Sequence, residues 1–125
     1  MFDSSAMLVR LTIVIGQATH EYSWNAGKTL ARDMLAYVRD KLVEHGGSLS
    51  AVTAIGVKSG PGSYTGLRIG LSVLNTLAEA RDVPIVGATG DDWQSECLSR
   101  LRSGQSDRIV MPVYGGDPHV TIPRK

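Results

Sequence analysis

The residues Lys58–Ser72, KSGPGSYTGLRIGLS, place four glycines and a proline just ahead of a helical pattern. A glycine-rich turn before a helix is a common phosphate cradle, because free N–H groups and the helix dipole attract anions there. Spacing tests the idea. A P-loop needs a glycine, four residues, then Gly-Lys-Ser/Thr. The one Gly-Lys-Thr run, Gly27–Thr29, has no glycine at the required upstream position. The dinucleotide fingerprint is GxGxxG. Gly60, Gly62 and Gly66 are one residue too widely spaced for it, and Pro61 removes an N–H donor. What remains is a generic anion site built on Gly60, Gly62, Ser63, Thr65 and Gly66. The competing reading, which the spacing favours, is a tight strand-to-helix corner with Ser63 or Thr65 as a capping hydroxyl.

The other chemistry-bearing residues are sparse. His20, His45 and His119 are scattered, with no HxxxH or HExxH pair, so each reads as a surface or loop residue and no metal is expected. Cys97 is the single cysteine, without a CxxC partner, and reads as an inert, partly buried thiol. The adjacent Asp91 and Asp92 suit a helix start. No nucleophile–base pair stands at recognisable spacing. Neither a catalytic residue nor a cofactor is expected.

These residues sit in a chain of 125 residues with 42% apolar and 20% charged residues, the profile of one globular domain. Its net charge of +1 gives no broad electrostatic footprint for nucleic acid. No apolar run reaches membrane-span length, and MFDSSAMLVR has no basic region followed by an apolar core. A cytoplasmic protein with no membrane contact is the expectation.

Periodicity supplies the elements. Leu8–Gly16 alternates, with Val9, Leu11, Ile13 and Ile15 on one face and Arg10 and Thr12 on the other, as a half-buried strand does. His20–Trp24 pairs back on it as a hairpin across Gly16–Thr19. Thr29–His45 is a helix with an apolar stripe of Leu30, Ala31, Met34, Leu35, Val38 and Leu42, closed by glycine. Ala51–Val57 and Val83–Ala88 are short buried strands joined by the helix that follows the glycine stretch, which implies a right-handed parallel crossover. A short helix is expected around Trp93–Leu101, then a brief strand and a Pro/Gly-rich tail.

The helix ending near Ala80 has two apolar sides. Leu67, Leu71, Leu74 and Ala78 form one stripe. Ile69, Ser72, Val73, Thr76 and Ala80 form a second of smaller residues, and Arg68, Asn75 and Glu79 fill the polar sector between. A helix on a sheet needs one apolar face only. The second stripe fits another close-packed helix, and both the chain's own first helix and a partner satisfy it.

GPGSYTGLRIGLSVLNTLAEARDVPIVGAT closely resembles the TsaB (YeaZ) family, whose members are partner subunits in bacterial threonylcarbamoyladenosine modification of tRNA position 37. DSS at Asp3–Ser5 resembles the family's N-terminal strand-turn, and MPVYGGDPHVT its closing tail. The resemblance covers about Asp3–Ala88, weakly through Thr29–His45, and then the tail. It implies an α/β fold: a single actin-like/RNase H-like lobe, with a mixed sheet of N-terminal antiparallel strands and parallel βαβ crossovers. Residues 1–88 would form the lobe, and 89–125 a short helix and tail packed on the same domain. The chain passes almost directly from that lobe to the tail, so a second lobe is expected to be missing, and MFDSS leaves little room for the family's first strand. Nucleotide in that superfold lies between two lobes, which argues against ATP binding by this chain alone; Asp3 is the one residue in an actin-like phosphate position.

The resemblance further implies a non-catalytic scaffold that binds a TsaD-like catalytic paralogue through two helices. Leu35, Arg39, Arg68, Ile69, Ser72, Val73, Thr76 and Ala80 are the expected contact residues. The same surface would make a homodimer in the paralogue's absence. The ATPase subunit of the pathway is a further candidate partner, and tRNA would be touched only within the complex. The alternative is a nucleotide- or phosphate-binding enzyme with a cleft rebuilt by dimerisation.

Overall fold

A computed structural model describes residues 1–26, 29–62 and 64–113. Five strands form one mixed sheet in the order β3-β2-β1-β4-β5: β1 (Phe2–Asp3), β2 (Leu8–Ile15), β3 (Ala18–Asn25), β4 (Ile55–Gly60) and β5 (Ile85–Thr89). Three helices accompany it: α1 (Leu30–Glu44), α2 (Tyr64–Arg81) and α3 (Trp93–Arg102). The chain is thus the α/β lobe expected, with an antiparallel β1-β2-β3 half and a parallel β1-β4-β5 half.

Alternation places Val9, Leu11 and Ile13 of β2 in the core, each at most 7% exposed. Ile15 departs from the expected pattern. It pairs with Ala18 at the end of the hairpin and is 49% exposed. The hairpin loop is Gly16-Gln17, and Gly16 at φ +62 supplies the left-handed residue that a primed two-residue turn requires. Thr12, expected on the polar face, is buried where Gln94 of α3 donates to its Oγ1 at 3.3 Å.

The little room expected ahead of the DSS turn holds a first strand of two residues. Phe2 and Asp3 form β1, pairing with Leu11 and Arg10 on one side and, through Phe2, with Val57 on the other. Two residues at the sheet centre leave no periodicity to detect, and Phe2 at 3% exposure anchors them.

The buried strand expected at Ala51–Val57 is displaced. Leu49–Ala51 is a 3₁₀ turn, and β4 begins at Ile55, where parallel pairing with Ile85 starts. Lys58, Ser59 and Gly60 therefore belong to the strand, and the glycine-rich turn begins only at Pro61, after a cis Gly60–Pro61 bond.

The core lies between the sheet and the α1–α2 pair. Leu30, Met34 and Val38 of α1 meet Leu71, Leu74 and Ala78 of α2 over Phe2, Leu11, Val57 and Ile85. The opposite face of β4 and β5 is covered by α3, whose Trp93 and Cys97 pack on Val86 and Ala88. α2 lies on one face of β5 and α3 on the other, and among the described residues no strand pairs with its outer edge.

No strand forms at residues 108–113. The backbone groups of Val110 are taken by a side chain: Asn75 Nδ2 donates to Val110 O at 2.9 Å and Val110 N donates to Asn75 Oδ1 at 2.8 Å. Asn75, expected in a solvent-facing sector of α2, is thereby a clasp for a strap laid along β5 and α2. The expected Pro/Gly-rich tail from Tyr114 onward lies outside the described residues.

Candidate functional site

α1 and α2 run parallel on one face of the sheet, both leaving from its β1–β4 carboxyl end, because β3 and β4 are parallel to β1. Their outer surfaces leave a set of small and apolar side chains open. A shallow groove between them is lined by Ala31, Thr65, Arg68, Ile69, Ser72 and Val73. Leu35 is 41% exposed beside it. Ser72, Thr76 and Ala80 are exposed along α2, and Thr76 Oγ1 donates back to Ser72 O at 2.8 Å, which leaves its methyl outward on a flat helix surface.

The eight expected contact residues are not equivalent. Leu35, Arg39, Arg68, Ser72, Thr76 and Ala80 are exposed. Ile69 and Val73 are only half-exposed, since they pack against the core beneath α1. The second stripe of α2 is therefore split, one half filled by the chain's own first helix and one half open. Arg39 pairs with Asp40 at 3.1 Å on the exposed side of α1.

Beyond the helix ends the groove continues. A small pocket of Ala6, Met7, Val9, Leu30, Thr65 and Ile69 adjoins it through the shared Thr65 and Ile69. Met7, in that pocket, is 66% exposed, and the neighbouring Leu8 45%. The sequence held no signal for this extension, since Ala6 and Met7 sit in the β1–β2 loop, which only the tertiary fold brings to the starts of α1 and α2.

The glycine-rich turn is packed by the chain itself. Gly60 is buried at φ +145, and a Cβ on it would run into the Val113 carbonyl. A Cβ on Gly62 would meet Ser5, and one on Gly70 the Ser4 hydroxyl, which donates to Gly66 O at 2.8 Å. Thr65, expected as a cap, is the second residue of α2 and exposed. Ser63 lies outside the described residues. Asp3 accepts from the backbone N–H of Ser5 at 2.9 Å and from its hydroxyl, with Lys58 Nζ 4.0 Å away.

Two histidines expected to be scattered are brought together. His20 on β3 and His45 after α1 have ring centroids 4.1 Å apart, and Tyr22 OH is hydrogen-bonded to His45 Nε2. Lys41 Nζ lies 4.8 Å from the Tyr22 ring centre, and Trp24 stacks on Tyr37 at 3.9 Å. This ladder fastens the hairpin to α1. No group of three or more metal-ligating side chains exists among the described residues. His119 lies outside them. Cys97 is fully buried rather than partly; burial pushes its thiol pKa up, and its sulfur is 3.7 Å from both Val57 O and Val86 O.

Sheet order, the parallel helix pair and the glycine corner define a lobe of the actin-like TsaD class, and the family model described as TsaD, tRNA N6-adenosine threonylcarbamoyltransferase, matches residues 24–89. Two solved structures resemble this chain. YeaZ from Pseudomonas aeruginosa has a TM-score of 0.65 at 32% identity, over 70% of this chain and 41% of that one. A second, described as an uncharacterized protein with similarity to peptidase YEAZ from the same organism, has a TM-score of 0.66 at 32% identity and the same coverage. The Escherichia coli K12 protein named tRNA threonylcarbamoyladenosine biosynthesis protein TsaB is 38% identical over 56 residues, 45% of this chain and 24% of the relative. Its Haemophilus influenzae namesake is 32% identical over 98 residues, 78% of this chain and 40% of the relative. The chain belongs to the TsaB (YeaZ) family. It spans less than half the length of these relatives.

Proposed function

We propose that this chain serves tRNA threonylcarbamoyladenosine biosynthesis as a non-catalytic partner subunit, docking its α1–α2 face on a TsaD-like catalytic paralogue. The observation that carries this is the open half of the α2 stripe: Ser72, Thr76 and Ala80 stay exposed beside Leu35 and the Ala31–Ser72 groove. Small side chains let a second helix approach closely, and the relatives' names support a role in threonylcarbamoyladenosine biosynthesis. The chain would position or stabilise the paralogue and meet tRNA only within that complex. In the paralogue's absence the same face would close on a second copy. No described helix is long and apolar enough to cross a membrane, and action in the cytoplasm suits a tRNA substrate.

Titration of the cognate TsaD-like protein tests this. Binding at micromolar concentration, weakened at least tenfold by Thr76→Arg, is the expected result. No association at that concentration, or an unchanged affinity in the variant, overturns the docking face.

A further inference from the structure

The middle of the sheet is a short column. β1 stands between β2 and β4, and its ladder starts at Met1. Met1 N donates to Thr12 O at 2.6 Å, and Thr12 N donates to Met1 O at 2.8 Å. β2 runs on to Ile15, and residues 53–55 precede the Phe2–Val57 pairing on the β4 side. Between residues 13–15 and residues 53–55 no described strand stands. A cavity of 370 Å³ lies there instead, lined by both segments. Two strands that flank one missing neighbour stand about 9.5 Å apart, room for a single extended backbone.

Backbone groups face this column from both sides. Successive strand residues turn their N–H and C=O to alternate edges. Thr12 faces β1, so Val14 faces the cavity. Ile55 N donates to Pro84 O at 2.9 Å on the β5 side, so Gly56 N–H and the Ala54 carbonyl face the cavity. The wall toward the helices is apolar. Ile13, Val38, Ile55 and Leu74 are buried in it, and Leu42 and Leu77 are half-buried. At the inner end stands the Met1 amino group. Its withdrawal from water pulls its pKa down to about 6, and its hydrogen-bond partner, Thr12 O, is neutral. An anion beside it would restore the charged form.

We propose that this column is a docking slot for the carboxyl terminus of another polypeptide, bound as a short extended strand with apolar residues at its last and third-last positions. Its direction follows from the neighbours. A strand that runs as β1 does, parallel to β4 and antiparallel to β2, arrives at Met1 and must end there. The N–H of its last residue reaches Ala54 O, and its carboxylate meets Gly56 N–H and the Met1 amino group. Its middle residue exchanges backbone bonds with Val14. Phe2 packs on the helix side of the sheet and Met1 on the α3 side, so alternation turns the last and third-last side chains toward the helices. Main-chain pairing of an added strand supplies affinity, and pockets for alternate side chains supply specificity. The slot lies beneath the helices, not on the outer α1–α2 face, so it stands or falls independently of the docking role.

The test adds acetyl-Val-Thr-Val, with a free carboxyl group, to the full chain. Backbone amide signals of Val14 and Gly56 should shift saturably at millimolar peptide, and hydrogen exchange at Val14 should slow at least tenfold. The same peptide with a carboxamide end should bind at least tenfold more weakly, and so should acetyl-Thr-Val-Thr, whose pattern is reversed. A variant with Val-Thr-Val joined ahead of Met1 fills the column covalently. It should unfold at higher denaturant and no longer bind the free peptide. Unmoved Val14 and Gly56 signals overturn the proposal, and so does equal affinity for the acid and the carboxamide. Octanoate that binds as tightly as the peptide makes the slot a pocket for apolar acids and overturns strand pairing. Protection of Val14 that rises with protein concentration alone assigns the slot to a second copy, and peptide binding retained by the extended variant places the peptide elsewhere; either result overturns the proposal.

Discussion

Among single residues, Gly60 and Asp107 carry consequences out of proportion to their size. Gly60 combines φ +145 with the Val113 carbonyl at the position of its missing Cβ. Gly60→Ala therefore meets both backbone strain and a backbone contact that cannot swing aside. A loss of about 1–3 kcal/mol or more is expected in denaturant unfolding. Asp107 receives the Arg100 guanidinium, and that hydrogen bond holds its carboxyl below the ordinary value, with the Gly87 N–H adding to the effect against partial burial. A depressed carboxylate contributes stability that is present above its unfolded pKa of about 4 and is lost as pH falls through the lower folded value. Unfolding midpoints measured from pH 6 downward should accordingly drop for the unsubstituted chain below about pH 4, and Asp107→Asn should flatten that part of the drop. An identical acid profile in the variant would remove Arg100–Asp107 from the account.

At the level of elements, α1 shows how one helix serves two purposes through neighbouring residues. Met34 has no exposed surface and sits in the core, whereas Leu35 is 41% exposed on the docking side. Met34→Ala should cost about 2–5 kcal/mol in unfolding free energy. Leu35→Ala should stay within about 0.5 kcal/mol of the parent and instead weaken binding to the paralogue. Equal stability losses would mean that the outer face of α1 is structural. The periodicity marked both residues as one stripe, since a 3.6-residue repeat places adjacent apolar residues on a single broad face. It could not show where the sheet ends and the open surface begins.

For the whole molecule, the arrangement separates two surfaces. One is the α1–α2 face, continued past the helices by Met7 and Leu8; the other is the strap over β4 and β5. Thr76→Arg belongs to this scale, because it changes an exposed helix position far from the core. Its unfolding free energy should stay within about 0.5 kcal/mol of the parent, while complex formation falls at least tenfold, about 1.4 kcal/mol in binding. Parallel unfolding and titration experiments read the two effects apart.

The order and type of the longer elements were legible in the sequence. Val9, Leu11 and Ile13 alternate, and Leu67, Leu71, Leu74 and Ala78 recur at helical spacing, because burial of one face imposes a local period. The failure of Gly60, Gly62 and Gly66 to match either phosphate spacing was likewise a local fact. Tertiary structure alone decided the rest. It made a central strand of Phe2–Asp3, turned Asn75 from a polar-sector residue into a clasp, and brought the rings of His20 and His45 together across 25 residues of chain. Each depends on a contact between distant segments, and such contacts leave no periodic trace in either segment by itself. The same reason explains the glycine corner: what fills the space beside Gly60 is a carbonyl fifty-three residues further along the chain, at Val113.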